Sequence, residues 1–257
     1  MRDVWKFASI VALAWSLPCP ATAQTVWRER GSLLADEARQ AAAAQGEHVY
    51  AITNDRVARY DRRSGVRLAV STGEAQHLNS GFVWQGRLYL AHSNYPHTPE
   101  LSQLKVLDLE TMRLTTFHDF GDFGGSLTWA VRQDGAWWCN FARYEENNSQ
   151  TFLVRFDDAW RPMGRWTYPV SVLKHLGKRS ISGGIFRHGD LVVTDHDHRC
   201  LYRLHVPPQG QVLELLAIEP APFTGQGIAA DPKTAGLVGI NRAQRRVVFA
   251  EPDEQDR

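Results

Sequence analysis

The chain has 257 residues, of which 43% are hydrophobic, and its 29 basic residues nearly balance its 28 acidic ones. A predicted leader over residues 1–23 contains two basic residues and one acidic residue, so the mature chain has no formal net charge. Nucleic acids and anionic membrane surfaces select a basic face. The balance therefore predicts that neither is a partner.

The first 23 residues have the organisation of a secretory signal peptide. Arg2 and Lys6 supply the basic start, residues 7–17 are apolar, and residues 21–23 (ATA) form a cleavage site before Gln24. The apolar run is too short to span a bilayer. We expect export to the periplasm or the extracellular space, without a stable membrane anchor.

A unit of about 40 to 54 residues recurs along the rest of the chain. In each unit a glycine-containing tight turn precedes an apolar strand and a polar cluster, and the turn glycines are Gly46, Gly86, Gly135, Gly189 and Gly236. This spacing suits blades of four short strands. Since no linker interrupts the units, residues 24–257 are predicted to form a single, monomeric all-β domain. The predicted fold is a five-bladed β-propeller, with six blades as the alternative.

The sequence pattern at the start of the first unit and at the end of the last unit is less regular than in the other units. The last unit runs out of chain near Arg257, so we predict that an N-terminal strand at residues 25–29 closes the ring. Residues 33–44 (LLADEARQAAAA) contain strong helix formers and read as a short helix. In the register of the repeat the alanines instead occupy the innermost strand of the first blade, where small residues suit a crowded axis.

Polar residues are predicted to converge at one face of the propeller. The innermost strand of a blade begins, and the second strand ends, at the same face, because the two are antiparallel. The predicted substrate-binding residues at these positions are Asn79, Ser80, Asn94, Trp129, Arg143, Ser182 and Gln226. Glycines beside them either leave space for a ligand or let five blades fit around the axis.

Three histidines in this set carry the chemical prediction. Two interpretations apply to His77, His92 and His196: they hold a divalent metal, or they line a water-filled channel. If the protein is an enzyme, one of them is expected to act as a general base. A carboxylate beside His196, from Asp195 or Asp197, would orient its imidazole. The residues predicted to be catalytic are His92, His196 and Asp195.

The sequence also lacks several enzyme signatures. It contains no nucleophile elbow, phosphate-binding glycine loop, zincin motif or dinucleotide fingerprint. Cys139 and Cys200 read as two packed thiols. We therefore predict proton-transfer chemistry of the lyase, isomerase or lactonase type on a small anionic or carbohydrate-derived ligand, metal-assisted if the histidines hold an ion. The alternative is a non-catalytic propeller that binds a ligand or a protein.

The runs HLNSG, AHSNYP, GSLTW, SISGG, TDHDH and GQGIA carry a family resemblance. They resemble those of a group of secreted bacterial β-propeller proteins that is loosely labelled cycloisomerase-like. The five-unit count is also similar to that of the plant-type glutaminyl cyclotransferases, which are five-bladed propellers. Both resemblances imply the propeller fold, and neither assigns a catalytic role to a residue of this chain.

Overall fold

The computed structural model describes residues 25–253. The leader predicted over residues 1–23 lies outside this range. The first strand, β1, spans Trp27–Leu34. It is followed by a turn and by the alanine tract, which forms β2 over Ala41–Gln45. The strand interpretation of this tract is therefore correct: close packing at the axis overrides the helix propensity of alanine.

The next sixteen strands form four antiparallel sheets of four, each in chain order. The first sheet contains β2, β3 (His48–Ile52), β4 (Val57–Asp61) and β5 (Arg67–Val70). The second contains β6 (His77–Trp84), β7 (Arg87–Ser93), β8 (Leu101–Asp108) and β9 (Leu114–Asp122). The third contains β10 (Ser126–Gln133), β11 (Ala136–Ala142), β12 (Phe152–Phe156) and β13 (Pro162–Thr167).

The fourth sheet contains β14 (Gly183–Arg187), β15 (Asp190–Thr194), β16 (Cys200–His205) and β17 (Glu214–Pro220). A 3₁₀-helix at Glu145–Gln150 and a short helix, α1 (Val170–Leu173), lie in the loops of the third blade and between the third and fourth blades. Within residues 25–253 no helix is long and apolar enough to cross a membrane.

The fifth sheet joins the two ends of the chain. Its order is β1, β20 (Arg246–Pro252), β19 (Leu237–Asn241) and β18 (Ala229–Ala230). β1 pairs antiparallel with β20, and the indole Nε1 of Trp27 donates a hydrogen bond to the buried Glu219 of the fourth blade, at 2.8 Å. The prediction of a five-bladed propeller closed by an N-terminal strand is confirmed, and the closing strand is longer than the predicted residues 25–29.

The innermost strands β2, β6, β10, β14 and β18 contact one another around the axis. We call the face at which they begin the entry face. Glycines bring these strands close together: a Cβ on Gly227 would lie 2.5 Å from the Cβ of Ala41, and one on Gly184 would lie 2.5 Å from the indole of Trp129. The glycines at these two positions therefore serve blade packing, because protein atoms already fill the space beside them.

Candidate functional site

A cavity of about 480 Å³ opens at the entry face between the fourth, fifth and first blades. Its volume lies within the range of small-molecule sites. The lining residues come from the segment before β2, the loop after β15, the segment before β18 and the turn after β19. They are Arg39, His196, Asp197, Thr224, Arg242, Ala243 and Arg245. We call this site the arginine cavity.

The ring of His196 lies between a carboxylate and a guanidinium in this cavity. Its Nδ1 lies 2.6 Å from Oδ1 of Asp197, and its Nε2 lies 3.1 Å from Nη1 of Arg242. A guanidinium only donates hydrogen bonds, so Nε2 must be the acceptor and Nδ1 carries the proton that faces Asp197. The arrangement fixes one neutral tautomer, with the basic nitrogen directed at Arg242.

Asp195 holds the loop that presents His196. Its buried carboxylate accepts hydrogen bonds from the backbone N–H groups of Asp197 and His198, at 3.0 and 2.8 Å. It also accepts the hydroxyl of Tyr202 at 2.9 Å and lies 2.6 Å from Nδ1 of His198. Asp195, predicted to be catalytic, is therefore placed as a loop anchor, and Asp197 is the carboxylate that meets the His196 ring.

The segment before β18 packs against the backbone of the same loop. Gly225 has φ +67°, and a Cβ at this position would lie 2.4 Å from the carbonyl oxygen of His196. The backbone N–H of Gln226 donates to the carbonyl of Asp195 at 2.9 Å, and its side-chain Nε2 to that of His196 at 3.4 Å. Gln226 is 2% exposed, so it positions the His196 backbone and does not face the cavity.

The arginines give the cavity a positive charge. In the described part of the chain, no carboxylate lies within 4.0 Å of the guanidinium of Arg39, Arg242 or Arg245. Burial lowers the pKa of Arg242, and the nearby charge of Arg179 lowers it further. Asp197 is the one acid among the lining residues, and its carboxylate meets His196. The cavity is therefore suited to an anion.

His77 and His92 lie outside the cavity lining. His77 is the first residue of β6 and so lies at the entry face. Burial lowers the pKa of His77, and the charges of Arg242 and His196 lower it further. His92 is 7% exposed, its Nε2 accepts the backbone N–H of Gln76 at 3.0 Å, and its Nδ1 is buried without a partner among residues 25–253. Across the same residues, no three His, Cys, Asp or Glu side chains could hold a metal ion. His77, His92 and His196 therefore do not form a group of metal ligands in the described residues.

His92 is expected to make the protein less stable in acid. Burial lowers its pKa from 6.5 to about 4. Between pH 6.5 and pH 4 the imidazole is therefore protonated in the unfolded chain and neutral in the folded chain. The free energy of unfolding should fall as the pH drops from 6.5 to 4, by about 3 kcal/mol in total. We expect His92→Gln to reduce this pH dependence in urea unfolding at pH 7, 5.5 and 4.5. The exposed His205→Gln is the control, and an equal effect of both substitutions would contradict the assignment.

The other predicted binding residues make contacts within the fold. Asn79 donates to the carbonyl of Leu127 at 3.0 Å and so links the second and third blades. Asn94 braces its own loop through Pro99 and Leu101, at 2.9 Å each. Their amides are therefore already used in the fold.

Four more predicted residues lie outside the cavity lining. Arg143 donates to the carbonyl of Gly124 at 3.0 Å, and the hydroxyl of Ser182 bonds the backbone of Ser180 at 3.3 Å. Ser80 is 4% exposed and Trp129 is fully buried. Trp129, predicted to face a ligand, is a core side chain because the glycine at position 184 lets its indole pack inside the ring.

The site residues predicted from the sequence do not include Arg39, Thr224, Arg242 or Arg245. The signal was available for Arg39. Residues that enter an innermost strand reach the entry face, and Arg39 occupies that position before β2. The helix-forming residues of this segment obscure that position in the sequence.

A second cavity, of about 260 Å³, opens at the opposite face. Hydrocarbon side chains such as Phe82, Val131 and Phe186 form most of its wall. Its arginine, Arg132, pairs with Asp158 at 2.7 Å. This cavity lacks a free charge or a general base, so the arginine cavity is the better candidate for chemistry.

The sequence matches no family model, and no curated protein matches it. Among solved structures, the glutaminyl cyclase of Myxococcus xanthus is similar at a TM-score of 0.62 and 11% identity, over 89% of this chain and 97% of that one. The likeness shows the fold alone. A putative oxidoreductase (glucose dehydrogenase) from Thermus thermophilus matches at a TM-score of 0.48 and 10% identity, over 88% and 100% of the two chains. The similarity to a five-bladed glutaminyl cyclase confirms the architectural part of the expected resemblance.

Proposed function

We propose that the protein binds a small anionic or sugar-derived molecule in the arginine cavity and catalyses proton transfer on it, in a lyase, isomerase or lactonase type of reaction. The observation that carries the proposal is the position of His196. Its Nε2 lies in a cavity lined by arginines, while Asp197 fixes the tautomer from the other side. Removing a proton from a carbon next to a ligand carboxylate requires a base to accept the proton and cationic groups to stabilise the negative charge.

The residues suggest an order of events. In the free protein Arg242 donates to Nε2 of His196 and so covers the base. An incoming anion competes with Nε2 of His196 for the N–H donors of Arg242. The positive charges of Arg39 and Arg245 attract the same anion. Nε2 then becomes free to accept a proton from the ligand, and Asp197 stabilises the imidazolium that forms.

A non-catalytic binding protein is the second candidate. The observation that favours it is the same bond from Arg242 to Nε2, which leaves the base occupied in the free protein. We further propose that the protein is exported and monomeric. An intact mass that begins at Gln24 would test export with cleavage, and size exclusion would test the monomer.

We expect D-glucuronate or D-galacturonate to bind the mature protein, and Arg242→Gln to weaken that binding by about tenfold or more, since a charged hydrogen bond is lost. Calorimetric titration at low salt measures the affinity. The control is Arg63→Gln, which makes the same charge change at an exposed turn distant in the fold.

Ligands that bind are then held in D₂O with the protein and followed by proton NMR. Loss of a C–H signal or formation of a product supports catalysis. Saturable binding without either supports the binding protein. Equal affinity of the two arginine variants would contradict the site itself.

A further inference from the structure

The cations at the entry face extend beyond the arginine cavity. Arg179 lies four residues before β14, in the segment that enters this innermost strand at the entry face, and its charge lowers the pKa of Arg242. Its Nη1 donates to the hydroxyl of Tyr95 at 2.9 Å, and within residues 25–253 no carboxylate lies within 4.0 Å of its guanidinium. Arg39, Arg242 and Arg245 line the cavity with Asp197 as the one lining acid, and Arg179 extends the positive charge of the entry face beyond that lining. We call this wider region the mouth. A ligand with a single charge would leave most of this charge uncompensated.

Aromatic side chains continue the mouth away from the cavity. The ring of Tyr95 lies 5.2 Å from that of His77 and 4.9 Å from that of Tyr144, measured between centroids. All three side chains are only partly buried. We call these three residues the aromatic rim. Rigid flat rings of this kind offer a surface to the C–H face of a sugar.

Two acids close to the rim are paired with cations. Glu145, which follows Tyr144 in the chain, lies 3.5 Å from Lys178. Glu100 lies 3.6 Å from Arg143, which balances its charge. Burial also raises the pKa of the Glu100 carboxyl, an effect that Arg143 partly offsets. The rim therefore adds apolar surface to the mouth without adding net repulsion.

We infer that the ligand is an acidic oligosaccharide, a chain of uronic-acid residues that places one carboxylate in the arginine cavity and the next sugar across the aromatic rim, with a second carboxylate at Arg179. The inference rests on the proposed function and names the substrate class of the same site. A chain with one carboxylate per sugar offers repeated negative charges to the arginines and sugar ring faces to the aromatic rim.

The test compares ligands of different length. We expect tetragalacturonate to bind about tenfold more tightly than galacturonate in calorimetric titrations, because it gains the rim contact and the Arg179 contact. Neutral maltotetraose should not bind measurably. A tetraglutamate peptide, with repeated charges and no sugar rings, should bind no more tightly than galacturonate.

Two variants separate the rim from the cavity. Tyr95→Ala and Arg179→Gln should each remove most of the gain from length and leave galacturonate affinity within about twofold. Phe117→Ala, an exposed aromatic on an outer strand, is the control and should change neither. Thermal unfolding of each variant confirms that it is folded.

The outcomes distinguish the two proposals. Equal affinity for monomer and tetramer, or tight binding of tetraglutamate, would overturn the oligosaccharide inference while the cavity site stands. No binding of any of these anions would overturn both.

Discussion

Replacing His196 with glutamine should lower kcat for proton transfer by about 10²–10⁴-fold and leave ligand affinity nearly unchanged. Glutamine can still accept a hydrogen bond from Arg242, so the cavity keeps its shape and its positive charge. It has no nitrogen that takes up a proton near neutral pH. The effect therefore falls on kcat, because the lost interaction is needed only in the transition state.

The matched control is His198→Gln, two residues along the same loop. His198 lies 2.6 Å from Asp195 and is 52% exposed at its side chain, outside the cavity lining. We expect it to retain most of the activity. If His198→Gln reduced kcat as much as His196→Gln does, the effect would belong to the loop, and His196 would not be the base.

Replacing Trp129 with alanine should lower the free energy of unfolding by about 3–5 kcal/mol, the usual cost of removing a large aromatic side chain from a core. Trp129 is 0% exposed at the centre of the ring. Its indole fills the space that the glycine at position 184 leaves open. Urea unfolding of the two proteins measures the difference.

A double-mutant cycle with Gly184 sharpens this test. Gly184→Ala alone should destabilise by about 1–3 kcal/mol, because its Cβ would lie 2.5 Å from the indole. In the Trp129→Ala background the same methyl group enters a cavity, so its cost should vanish. Additive effects of the two substitutions would mean that the indole does not pack against Gly184.

The architecture was predictable because its signals are local and repeated. Turn glycines such as Gly86 and Gly135 mark hairpins wherever they occur, and strand-forming segments follow them. The missing outer strand of the last blade then required an N-terminal partner, which the pairing of β1 with β20 supplies. The alanine tract was ambiguous because its local propensity and its place in the ring favour different structures.

The site was less predictable because the position of a residue in a repeat does not give the direction of its side chain. Asn79 and His196 both reach the entry face, yet Asn79 turns its amide to a neighbouring blade and His196 turns its ring to the cavity. Choosing between Asp195 and Asp197 likewise depends on the loop, which buries the first and exposes the second. These differences arise from contacts between blades, which a single repeat does not show.

The measurement that tests the central claim most directly is a ¹H–¹⁵N spectrum of the histidine side chains, recorded with and without D-galacturonate. We expect His196 to carry its ring proton on Nδ1 in the free protein. We also expect the Nε2 resonance to shift as the anion draws Arg242 away. A proton on Nε2 in the free protein, or an Nε2 resonance unmoved at saturating galacturonate, would contradict the claim that an anion in the arginine cavity uncovers this base.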